Sequence, residues 1–206
     1  VRRLLKRGKG SQQVVGGAKV FAPFFLEVSM LYRLSVIWAR VEVMAAAFLA
    51  ICVTALILLN VVTRNIGHAL FWVDELAIYA MVWMTFLGAS AALHHRSSVA
   101  ITLVTDAVPA RTAFIVRKIV DVIVFAFAVA MLWFCWRWYL PWDLAKAGFD
   151  TQAFQGRTFN FIYAEPTLTL GLPKYLFWLV MWLFALGATL HATMHLFTPG
   201  TSRETV

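Results

Sequence analysis

Residues 60–96 read NVVTRNIGHALFWVDELAIYAMVWMTFLGASAALHHR. An apolar run ends at Arg64, and the chain turns through Asn65, Ile66 and Gly67. A second apolar run then opens over Trp72, Asp74 and Glu75 and stays uncharged as far as His94, His95 and Arg96. This pattern predicts a tight hairpin between two membrane-spanning helices. Its charges fall where a bilayer ends, an arginine closing one helix and two acids opening the next, the placement that helix dipoles also favour.

Upstream, Val43 to Thr63 is uncharged over about 21 residues, enough at about 1.5 Å per residue to cross roughly 30 Å of hydrocarbon. Downstream, two more apolar runs complete a membrane domain at 42–197, with spans predicted at about 43–63, 72–93, 119–139 and 174–197. Composition agrees. With 62% hydrophobic and 14% charged residues in 206, there is more apolar surface than one water-soluble core hides. The expected fold class is therefore an all-α integral membrane protein. Cys52 and Cys135 lie inside apolar runs at different depths, so no disulfide is expected.

The formal charge is +8, from 18 Lys+Arg against 10 Asp+Glu. The excess lies in the N-terminal tail and beside apolar runs, so it speaks for topology and membrane lipids rather than nucleic acid. Residues 1–23 read as a basic cytosolic tail, and 24–41 as an N-terminal amphipathic interfacial helix, with an amphipathic cap packed on protein as the open alternative. That helix carries Leu31, Leu34, Ile37, Trp38 and Val41 on one stripe and Glu27, Arg33 and Arg40 outside it. A second basic stretch, Arg96 to Lys118, is assigned to the same side. The positive-inside rule then puts both termini, including the tail 198–206, in the cytoplasm. The hairpin turn and the loop 141–172 face outward.

The third span has an uncharged core of only about 15 residues between Asp121 and Arg137, so both side chains must pair or snorkel. Asp121 is expected to pair with Arg117, one helical turn before it. Arg137 sits in an aromatic belt of Trp133, Trp136, Trp138, Tyr139 and Trp142 and reads as an interfacial anchor. In the second span Gly88 and Ala92 set small residues four apart, a spacing that admits another helix. The loop 141–172 is broken by Gly148, Gly156, Pro166 and Gly171 and carries Asp150 and Arg157; loops of this length often serve a partner.

Acids lie at span ends, no half of the chain repeats the other, and no span is broken at its centre, so a self-sufficient transport pathway is not in view. Histidine is the one constellation with chemical potential. His191 and His195 stand four apart in the fourth span, and His94 and His95 end the second on the same side. Two alternatives stay open at this point: a haem-b membrane anchor of a quinone-linked oxidoreductase, and a general membrane assembly protein.

Arg64, the short turn, Trp72-Val73-Asp74-Glu75-Leu76, Trp83 and Phe86-Leu87-Gly88-Ala89 resemble the small membrane subunit, DctQ-like, of tripartite ATP-independent periplasmic (TRAP) transporters. The likeness continues at Pro109-x-Arg111 and Leu170-Gly171-Leu172-Pro173 and covers about residues 40 to 195. It departs where the family often has a His, an apolar residue and, two further on, an Asp; this chain has Ser98, Val99 and Thr102. Roles tied to that His or Asp do not carry over.

The resemblance implies a bacterial inner-membrane symport component and no enzyme. It implies a large membrane transport subunit beside it, which holds the sodium and substrate sites, and a periplasmic substrate-binding protein that delivers an organic acid. No cofactor is expected in this chain. The residues assigned to partner contact or structure are Arg64, Trp72, Asp74, Glu75, Trp83, Gly88, Arg137, Asp150 and Arg157. Arg64, Trp72, Asp74 and Glu75 are expected to form one cluster that fixes the hairpin.

Overall fold

A computed structural model describes the backbone of residues 10–96 and 107–197 and the side chains of 29–96 and 107–197. Expectations for residues 1–9, for the link at Ser98, Val99 and Thr102, and for the tail 198–206 lie outside the described residues. The described chain forms α1 (Gly10–Asn65), α2 (Phe71–His95), α3 (Ala110–Tyr139), α4 (Pro141–Lys146), α5 (Thr151–Thr158), α6 (Tyr175–Trp178) and α7 (Val180–Phe197). Extended pairing among these residues is confined to one bridge, Pro166 to Pro173. Four helical stretches are long and apolar enough to cross a membrane: Ser29–Asn65, Phe71–His95, Ala110–Lys146 and Tyr175–Phe197.

The hairpin forms as its sequence predicts. Gly67 adopts φ +78°, a conformation that costs glycine nothing, and His68 N–H bonds back to Thr63 O at 2.9 Å while Gly67 N–H reaches Arg64 O at 3.2 Å. α2 ends symmetrically in kind, with Arg96 left-handed and its N–H returned to the last carbonyls of the helix. α3 starts earlier than predicted. Pro109 caps it, its carbonyl accepting from Ala113 N–H at 3.0 Å, so the helix opens nine residues before the apolar run does.

The main departure is α1. The interfacial helix at 24–41 and the first span are one uninterrupted helix. A lone proline at Pro23 removes a single hydrogen bond, and from Phe24 to Asn65 the sequence holds neither glycine nor proline to stop the helix. The face it turns inward also differs. Ser35, Ala39 and Glu42 are buried, whereas Leu34, Ile37 and Val41 of the predicted stripe are exposed. The polar residues are drawn in because α2 and α7 offer them partners. The stretch Ser29–Asn65 alone is about 55 Å long, well beyond the roughly 30 Å of a hydrocarbon core.

α7 is the centre of the bundle, packing on α1, α2 and α3, while α1 lies along α2. It achieves this with small residues on its contact faces, Ala185, Gly187, Ala188 and Ala192. Ala128 of α3, Phe184 and Ala188 form one apolar cluster, closed by Phe86 edge-on to Phe184. The loop between α3 and α6 is folded onto the bundle end. Phe154 of α5 is fully buried against Tyr139, Ile162 and Tyr163. Tyr163 donates to Tyr139 O at 2.7 Å and Tyr139 to Tyr175 O at 2.9 Å. Burial, with Tyr175 beside it, pushes the Tyr163 phenol above its usual range.

Candidate functional site

Polar residues collect at the two ends of the bundle, because backbone and side-chain polar groups in lipid must find partners within the protein. At the hairpin end, Arg64 Nη2 meets Asp74 Oδ2 at 2.6 Å and Arg64 Nε donates to Asn60 Oδ1 at 2.9 Å, while the Asn60 amide donates to Asp74. This trio ties α1 to α2. Glu75, one residue on, serves a different seam. Its carboxylate accepts from the backbone N–H of Leu168 at 2.8 Å, Thr169 at 2.7 Å and Leu170 at 3.2 Å, and from the Thr169 hydroxyl at 2.7 Å. The approach to α6 is thereby pinned to the start of α2. The expected single cluster of Arg64, Trp72, Asp74 and Glu75 is thus two, and Trp72 stands exposed beside them.

Trp83 joins the second seam, donating to Phe177 O at 2.7 Å below the stacked pair Tyr79 and Phe177. Beside it lies a groove of about 340 Å³ between α1, α2 and α6, lined by Leu49, Leu76, Tyr79, Trp83, Leu176 and Phe177. An apolar lining of this kind gives an organic anion nothing to pair with. Asp150 caps α5, accepting from Gln152 and Ala153 N–H at 2.9 and 3.2 Å, while Arg157 is exposed on the same helix and Arg137 is exposed at the end of α3. Gly88 has open space around it, and the close helix approach falls at Gly187 instead. Because Arg64 and Asp74 are both substantially exposed, Asp74→Asn is expected to cost less than about 1 kcal/mol, read as the melting midpoint in detergent.

The other end holds the more enclosed cluster. Glu42 is 2% exposed and Ser35 and His191 are 0% exposed. Glu42 accepts from Trp38 Nε1 at 2.7 Å and pairs with His191 Nε2 at 3.1 Å. Ser35 Oγ lies 2.7 Å from His191 Nδ1 and 2.8 Å from His94 Nδ1. A second group continues from it. His195 Nε2 donates to the carbonyls of Leu93 and His94, both at 3.1 Å, and Arg96 Nε donates to His195 Nδ1 at 3.0 Å. Arg96 Nη2 then meets both oxygens of Asp121 at 2.9 and 2.8 Å, with Lys118 Nζ 3.6 Å away. Arg96 and Lys118 take the place expected for Arg117.

All four long helices are therefore joined at this end. Ser35, His191 and Glu42 have the spacing of a hydrolytic triad, but all three are sealed and Ser35 Oγ is held between two imidazoles, so no acyl group reaches it. The arrangement does not suit a bis-histidine haem either, since both ring nitrogens of His191 and of His195 are engaged. Sequence reasoning noticed His191 but passed over Ser35, Glu42 and Gly187. The available signal was Ser35 and Glu42 seven apart, two polar residues on one face that also includes Trp38 of the apolar stripe.

The model of the DctQ component of tripartite ATP-independent periplasmic transporters matches residues 53–199, well over half of the chain. The chain belongs to this family. It is also 32% identical over 65 residues to the isethionate TRAP transporter permease protein DctMQ of Oleidesulfovibrio alaskensis (strain ATCC BAA-1058 / DSM 17464 / G20). That match covers 32% of this chain and 10% of the relative, so the chain spans only a small part of that protein's length. No solved structure matches it. The hairpin, Trp83 and the Glu75 seam all fall within the DctQ match, whereas Ser35 and Glu42 precede it.

Proposed function

We propose that this DctQ-family chain is the small membrane subunit of a TRAP-type secondary transporter, a multi-pass inner-membrane brace that packs against the large transport subunit. In this reading the large subunit carries the sodium and substrate sites and imports an organic anion delivered by a periplasmic binding protein. The family match over residues 53–199 carries the reading. The internal partners of the bundle's polar groups support it: Arg64 pairs with Asp74, Arg96 and Lys118 pair with Asp121, and Glu42 is hydrogen-bonded to His191, so these groups hold helices together. The end bearing the histidines is assigned to the cytosol, where the basic link places it, and the hairpin and the loop around Asp150 and Arg157 to the periplasm.

The seam at Glu75 tests the brace. Glu75→Lys puts an ammonium where three backbone N–H groups converge, so residues 165–172 come loose. Faster hydrogen exchange across 165–172, reduced co-purification with the large subunit and reduced uptake in proteoliposomes are expected. Normal co-purification and uptake with a loosened segment would refute the role proposed for this seam.

A further inference from the structure

The DctQ reading does not use the sealed polar chain at the cytosol-assigned end, and its geometry has a consequence of its own. We propose that His94, Ser35, His191 and Glu42 form a relay that binds one proton, taken up at His94, passed through the Ser35 hydroxyl and held on His191 against the Glu42 carboxylate.

Two complete hydrogen arrangements fit the same heavy-atom positions. In the first, His94 Nδ1–H donates to Ser35 Oγ, Ser35 O–H donates to His191 Nδ1, and His191 Nε2–H donates to Glu42. In the second, a proton has bound His94 Nε2. The His94 Nδ1 proton has moved to Ser35 Oγ, and the former Ser35 proton now sits on His191 Nδ1. Ser35 O–H then donates to His94 Nδ1, and His191 becomes an imidazolium facing the carboxylate. Every hydrogen bond survives, and only the direction of those through Ser35 reverses. A serine flanked by two Nδ1 atoms at 2.8 and 2.7 Å is suited to this exchange, because a hydroxyl donates and accepts equally well.

Access and surroundings favour the same path. His94 is half-buried and stands at the last turn of α2, at the end of its span, whereas Ser35, His191 and Glu42 are buried. Trp38 Nε1–H donates to the other Glu42 oxygen at 2.7 Å. Facing the relay are His95 on α2, 5.0 Å from His94 between ring centroids, and His195 on α7, 6.4 Å away. Beyond His195 stand Arg96 of α2 and Lys118 and Asp121 of α3, two cations against one acid, a balance that opposes uptake of a second proton. On α1 itself Arg40 is exposed.

The test is 15N NMR of the histidine rings in the full-length protein, isolated in whatever complex it purifies in and held in lipid nanodiscs, between about pH 5 and pH 8. Signals are assigned with His191→Gln and His94→Gln. On acidification, His191 Nδ1 should change from unprotonated to protonated at the same midpoint at which the His94 proton moves from Nδ1 to Nε2. Ser35→Ala should separate the two midpoints and slow deuterium exchange at His191 by about tenfold or more, while Ser35→Thr, which keeps the hydroxyl, behaves as the parent. Independent titration of the two rings in the parent protein, a His191 that does not change across the range, or a Ser35→Ala protein that exchanges like the parent would each overturn the relay. Coupling in the parent decides the matter if Ser35→Ala does not assemble.

Discussion

Glu42→Ala is expected to cost about 3–5 kcal/mol, because it leaves the ring N–H donors of His191 and Trp38 without their acceptor, at about 1–3 kcal/mol each. Glu42 is 2% exposed and holds both His191 Nε2 and Trp38 Nε1, so its loss leaves one buried and one half-buried donor, on two helices, without an acceptor. The readout is the apparent melting midpoint in detergent, which should fall by roughly 10 °C. The double variant Glu42→Leu with His191→Leu should recover part of that loss, because of the two donors only the Trp38 Nε1–H then lacks its acceptor. A fall of less than about 2 °C for Glu42→Ala would show that the pair contributes little, whatever its geometry.

Gly187→Ala is the second large effect. A methyl group there would stand 2.4 Å from Glu42 Oε1, 2.5 Å from Ser90 Oγ and 2.6 Å from Trp38 Nε1, all far inside van der Waals contact. Two of these three atoms are hydrogen-bonded to each other and cannot both retreat. Either these two side chains give up their hydrogen bond or α7 moves away from α1 and α2, at a cost of about 1–3 kcal/mol, the usual range for overpacking. The separation should also disturb the His191 contacts one helical turn on, so the melting midpoint should fall and hydrogen exchange in α7 quicken together. Gly88→Ala is the matched control, since nothing lies within 4 Å of the added carbon, and it is expected to leave this chain's own fold unchanged. Equal effects at the two glycines would contradict the packing described.

Much of the architecture was legible in the residues themselves. The uncharged run before Arg64, the glycine turn and the acids at Asp74 and Glu75 specify a hairpin because each feature acts locally: lipid demands length, the turn demands a positive φ, and helix ends select charge by sign. The same locality made the DctQ resemblance readable, since its motif lies within one stretch. The candidate site was only partly legible. Asp74 and Glu75 are neighbours in sequence and read as one pair, yet on a helix adjacent side chains diverge by about 100°, so one faces α1 and the other the approach to α6.

The amino-acid order by itself determined how many helices cross, where they turn and which family the chain belongs to, because hydropathy and turn chemistry need no knowledge of neighbours. Only the tertiary structure decided how each helix is rotated. In a membrane helix the outward face is as apolar as the inward one, so composition cannot say which side meets protein, and a charge near a span end looks the same whether it faces headgroups or a partner. Glu42 shows the difference: sequence reasoning passed over it, yet the close approach that Gly187 permits places α7 against α1 and makes its side chain a buried acceptor for His191.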